Sequence, residues 1–103
     1  MKYRHGDIAI KAAEHSFTNP ISHDGSFAIA LGEHSGHRHL LTVERPDDLI
    51  IEKTPNGYVF TLKREARLTH EEHKPLIIAP GTYRSTPQRE VDHFAESIVN
   101  VQD

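Results

Sequence analysis

Leu49-Ile50-Ile51-Glu52-Lys53-Thr54-Pro55-Asn56-Gly57-Tyr58-Val59-Phe60-Thr61-Leu62 sets two runs of strand-forming residues on either side of a Pro-Asn-Gly turn. Pro presets the turn backbone, and Gly tolerates conformations that a Cβ would forbid. The stretch therefore predicts a β-hairpin. Working outward, Ile8 and Ile10 alternate with Ala9 and Lys11, and Phe27, Ile29 and Leu31 alternate with Ala28 and Ala30. His37, His39, Leu41 and Val43 share one parity, as do Ala66, Leu68 and His70. Leu76-Ile77-Ile78 ends at Pro80-Gly81, and Tyr83 follows in another extended piece. A period of two places alternate side chains on opposite faces of a strand. Seven or eight short strands in one all-β domain spanning residues 1–103 are expected, as a small closed barrel or a sandwich.

Two stretches compete for helix. Thr69-x-x-Glu72 has the form of a capping box, but Pro75 stops anything longer than a turn. Thr86-Pro87 could open a helix, with Val91, Phe94, Ala95 and Ile98 at helical spacing. The β-branched Ile98-Val99-Asn100-Val101 opposes it, so the 86–99 segment is read as a loop leading to a terminal strand. The polar stretch through Asn19-Pro20 and His23-Asp24-Gly25 is read as a loop.

A chain of 103 residues holds one modest core. The formal charge is −3, and the basic residues are scattered, with only 63–67 dense. This weighs against nucleic acid as a partner. Nine histidines would carry the charge from −3 to +6 on full protonation. Cysteine is absent, which excludes a disulfide frame and thiolate metal ligation. No apolar run approaches the ~18 residues of a membrane span, and Met1 to Asp7 lacks a signal-peptide hydrophobic region. The expectation is a soluble, cytoplasmic protein.

Five of the nine histidines lie in Glu33-His34-Ser35-Gly36-His37-Arg38-His39-Leu40 and His70-Glu71-Glu72-His73. On a strand, His37 and His39 project from one face and make half of a metal site. His73 or His70 could supply a third imidazole, and Glu71, Glu44 or water could complete the shell. Nitrogen and oxygen donors suit Zn, Mn, Ni or Fe(II). His70-Glu71-Glu72-His73 is not a zinc-protease helix motif, because its histidines are three apart and Pro75 follows. Arg89, within Gln88-Arg89-Glu90, Tyr83 and His70 are candidate substrate contacts, Arg89 through its guanidinium fork. His5, His15, His23 and His93 have no partners nearby in sequence and are read as ordinary surface residues.

Gly32, His37, His39 and Glu44 stand in the spacing Gly-x4-His-x-His-x4-Glu, which resembles the first cupin motif. Pro80-Gly81 resembles the turn of the second. The resemblance implies a metal held in a small β-barrel by two histidines and a glutamate. This chain departs from the family after that turn, where Tyr83 and Arg84 stand in place of the last His ligand. A second resemblance spans nearly the full length. Gly6-Asp7, Gly32-Glu33, Gly36-His37-x-His39, His70-Glu71-Glu72-His73-x-Pro75-Leu76, Pro80-Gly81-x-Tyr83 and Gln88-Arg89-Glu90 occur in an order that resembles a group of small uncharacterised bacterial proteins, some carried by phages and mobile elements. It implies a shared fold and site without naming an activity.

Three functions follow as expectations. The first is a divalent-metal site in a cupin-like barrel. The second is a metal-free His acid–base pair acting on a phosphodiester with Arg89 or Arg38. The third is a binding or regulatory module for a small ligand or a protein, with an exposed strand edge available for a homodimer.

Overall fold

Leu49–Thr54 and Gly57–Leu62 pair antiparallel with Thr54 opposite Gly57, so Pro55-Asn56 forms the two-residue turn that the sequence predicts. Glycine at 57 is also required by a neighbour, since a Cβ there would overlap the carbonyl oxygen of Ser85 on the next strand.

The computed structural model describes residues 2–5, 8–31, 38–71 and 73–87. Among these residues are nine strands and no α-helix. They are β1 (Lys2–His5), β2 (Ile8–Ala12), β3 (Ser26–Leu31), β4 (Arg38–Thr42), β5 (Leu49–Thr54), β6 (Gly57–Leu62), β7 (Ala66–His70), β8 (His73–Ile78) and β9 (Gly81–Pro87), with a 3-10 turn at Pro46–Asp48. No helix of the described residues is long and apolar enough to cross a membrane.

The strands form two antiparallel sheets, ordered β1-β2-β9-β6-β5 and β3-β4-β7-β8. The all-β class is as expected, and the two sheets enclose one core drawn from both, as in a sandwich. Closure into a barrel is corrected. Edge strands β1 and β8 lie close, but side chains bridge them where a backbone ladder would be needed. His5 Nε2 meets the Lys74 carbonyl at 2.9 Å, and the Ala79 N–H donates to the Tyr3 hydroxyl at 3.1 Å. Pro75, with no N–H, sits on the β8 edge beside a register shift, and both features discourage strand pairing there.

Strand alternation fills the core. Ile8 and Ile10, Leu41 and Val43, Phe60 and Leu62, and Ala66 and Leu68 are buried at period two. Each large apolar side chain removed from water contributes about 1.5–3 kcal/mol before entropy is counted. Both competing helix starts lie on strands: Thr69 is in β7, and Thr86 and Pro87 end β9. Glu72 and the rest of the 86–99 segment lie outside the described residues.

The loop after β2 is pinned over the β5 edge. Ile21 N–H donates to the Ile51 carbonyl at 2.7 Å. Glu52 Oε1 accepts the N–H groups of Thr18 and Asn19 at 2.9 and 2.7 Å, and Oε2 meets His15 Nε2 at 3.0 Å. His23 Nε2 donates to the Leu49 carbonyl at 2.7 Å while its Nδ1 accepts the Gly25 N–H at 3.0 Å. His15 and His23 are therefore anchors of this loop rather than ordinary surface residues. The partners on β5, Glu52 for His15 and Leu49 for His23, are more than twenty residues away, which is why sequence neighbours did not reveal these anchors.

The Asn19 N–H, then His15, holds the Glu52 carboxyl below its ordinary value of 4.5, against the opposing effect of burial. A carboxylate with a depressed pKa stabilises the fold above its unfolded pKa and loses that contribution as pH falls through the folded value. Stability measured by denaturant should decline below about pH 4.5, and Glu52→Gln should flatten that part of the profile. Gly57→Ala should cost roughly 1–3 kcal/mol in the same assay, because the Ser85 backbone must move.

Candidate histidine site

Four imidazoles from both sheets meet at one end of the sandwich: His5 on β1, His39 on β4, His70 on β7 and His73 on β8. Ring centroids lie 5.0 Å apart for His5 and His39, 4.4 Å for His39 and His70, and 4.6 Å for His70 and His73. His39 and His73 stack with planes 14° apart at 6.2 Å. Burial falls across the group. His39 is 0% and His5 4% exposed, His70 is half-buried, and His73 is at the surface. The cluster has a buried floor and an open mouth.

Alternation explains most of this placement. His39 continues the inward row of Leu41, and His70 continues that of Ala66 and Leu68. His73 needs a further device. Leu68 pairs with Leu76, but His70 pairs with His73, so β8 holds one extra residue between these contacts. Without the bulge Lys74 would stand opposite His70. The shift puts His73 there instead, because a one-residue slip exchanges the faces of a strand. A register shift between Ala28 and Ala30 on β3 lies beside His39.

The hydrogen bonds assign the tautomers. The Lys74 carbonyl can only accept, so His5 Nε2 carries the proton of that bond. His5 Nδ1 and His39 Nδ1 lie 2.9 Å apart. With His5 neutral, its Nδ1 accepts and His39 Nδ1–H donates. Nε2 is then the unprotonated nitrogen of neutral His39. Burial lowers the pKa of His5 below its ordinary 6.5, opposed by the Lys74 hydrogen bond and aided by positive charge on His73 and His70.

His5 is the residue that sequence reading missed, and its assignment to the surface is corrected. Its signal was the alternation of Tyr3 and His5, too short in isolation to mark a strand. Glu71 lies at the mouth, where its Oε1 accepts the Arg38 N–H at 3.1 Å. A groove of about 280 Å³ opens beside it, lined by Arg38, Leu40, Thr69, His70 and Glu71. Glu44 is exposed and 3.6 Å from Arg64. Tyr83 is 3% exposed, its hydroxyl donates to the Ala79 carbonyl at 2.8 Å, and burial raises its pKa, with Tyr3 adding to the effect. That hydroxyl braces the β8–β9 turn. His34, His37, Arg89 and His93 lie outside the described residues.

Among the described residues, no group of three or more His, Asp or Glu side chains is arranged to hold a metal ion. The four rings meet through stacking and hydrogen bonding.

A two-sheet all-β fold with a histidine cluster drawn from both sheets is thus the class defined by the described residues. Residues 4–88 match a family described as a domain of unknown function (DUF8820), and the chain belongs to that family. No curated protein and no solved structure matches the chain.

Nitrogen-detected two-bond NMR on metal-free protein above pH 7 should show His5 as the Nε2–H tautomer and His39 as the Nδ1–H tautomer. The reverse tautomer at His5 would be incompatible with a hydrogen bond donated from Nε2 to the Lys74 carbonyl. Because the folded pKa of His5 lies below 6.5, its neutral form supports stability at high pH, and that support declines as pH falls below 6.5.

Proposed function

We propose that the histidine cluster binds a divalent cation, with His39 as the anchoring ligand through Nε2 and His70 and His73 as further nitrogen donors. The observation that carries this reading is the relay from His39 Nδ1–H through His5 to the Lys74 carbonyl. A metal-bound imidazole typically donates its other N–H to a fixed acceptor, which sets the tautomer and raises the basicity of the ligating nitrogen. His5 serves that purpose for His39. The rings of His70 and His73, nearer solvent, would turn to bring their nitrogens to the ion. His37 and Glu71 complete the donor set in this proposal, with Zn, Mn, Ni or Fe(II) as suitable ions.

Such an ion would supply Lewis acidity toward a small molecule entering by the groove at His70. The partial cupin resemblance of Gly32, His37, His39 and Glu44 points to the same chemistry, reached here within a two-sheet scaffold. The hydrogen bond between His5 and His39 favours a second reading, a metal-free acid–base pair with Arg38 beside the groove. A chelator separates the two: the first activity would be lost and the second retained.

The direct test is elemental analysis of untagged protein purified without chelator, beside His39→Ala and a His70→Ala/His73→Ala double variant. The parent should carry about one divalent ion per chain and both variants much less. An empty parent that takes up none of the four metals in calorimetry would end the metal reading.

A further inference from the structure

The face of the five-stranded sheet turned away from the core carries a separate feature. On neighbouring strands β1, β2 and β9, Lys2 stands opposite Lys11, and Lys11 stands opposite Arg84. Directly opposed residues share a face, so these three cations form one row across the sheet. Arg4 is the next outward residue of β1, opposite Ala9, and Ala9 is opposite Thr86. Lys2, Arg4, Lys11 and Arg84 are all exposed. Among the described residues none of the four takes part in an ion pair.

The same row continues through Val59 to Glu52. Those two are buried, and the Glu52 carboxylate is held by Thr18, Asn19 and His15, turned to the loop rather than to Arg84. The cationic half of the face therefore has no acid of its own row to neutralise it. Like charges placed directly opposite one another destabilise a sheet. Exposed like charges brought together around the buried Ala9 raise the local positive potential, which attracts an external anion.

We infer that this face binds the phosphate backbone of a nucleic acid. Strands lie about 4.8 Å apart, so the Lys2–Lys11–Arg84 row spans roughly 10 Å, within reach of successive phosphates for long side chains. Lysine provides point charges and arginine a fork that fits phosphate oxygens. Between the cations stand Ala9 and Thr86, with no protruding apolar side chain of the kind that anchors a protein in a membrane surface. The row offers no aromatic ring for base stacking, so contacts go to phosphate and carry no sequence preference. A formal charge of −3 for the whole chain is compatible with this, because the potential near a surface is set by local groups. The face is opposite the histidine cluster across the same sheet, and the inference is independent of metal binding.

Fluorescence anisotropy with labelled single-stranded and duplex DNA of mixed sequence, titrated between about 50 and 200 mM salt, tests it. Four phosphate contacts predict a slope of log Kobs on log salt near −3 for single strands and steeper for duplex. Lys11→Glu/Arg84→Glu should weaken binding more than tenfold. Lys63→Glu/Arg67→Glu, with the same change in net charge on other surfaces, should leave it unchanged. Lys11→Glu should also raise the thermal midpoint at low salt by relieving repulsion from Lys2 and Arg84, which shows that the variant folds. No binding at the lowest salt, equal losses in the two double variants, or preference for phosphatidylserine vesicles or a poly-glutamate peptide over DNA would overturn the inference.

Discussion

The carbonyl oxygen of Lys74 receives the Nε2–H of His5, and both the seam between the sheets and the chemistry of the site depend on that bond. It ties β1, the edge of one sheet, to β8, the edge of the other, where Pro75 and the bulge leave no regular ladder. It also fixes the tautomer of His5, which fixes that of His39, the most buried imidazole of the group. A buried donor left without its acceptor costs about 1–3 kcal/mol. Structure and tautomer are therefore maintained by the same contact.

The bulge shows how little separates two outcomes. A regular β7–β8 hairpin would set Lys74 opposite His70 and place an ammonium beside imidazoles, which disfavours both proton binding and cation binding there. One extra residue sets His73 there instead. Pro75 suits that irregular stretch because it has no N–H to contribute to a ladder. The proposed metal site and the open edge of the sandwich share this origin.

The two faces of the five-stranded sheet differ in how they treat charge. Inward, Tyr3 and His5 join the core and the cluster. Outward, the same strand presents Lys2 and Arg4 to solvent beside Lys11 and Arg84. Farther across, the loop through Thr18 and Asn19 covers the sheet and binds Glu52. With that carboxylate held by the loop, the charged groups on the rest of this face among the described residues are Lys2, Arg4, Lys11 and Arg84.

Local pattern was enough for the strand content and for the hairpin at Pro55-Asn56, because alternation and turn chemistry act between near neighbours. It also put His37 and His39 with His73 or His70 as candidates for one site, since two short clusters held them. The fold brings the rings of His39, His70 and His73 together, and His37 lies outside the described residues. The nine strands among the described residues, the open sandwich and the inclusion of His5 required the fold. His5 and His39 are 34 residues apart, and sequence carries no spacing that announces such a pair. Lys2, Lys11 and Arg84 read as scattered charges along the chain, and cross-strand register made them a row. Side-chain periodicity is a property of each strand by itself; which strands become neighbours, and in what register, is decided by burying one core between two sheets.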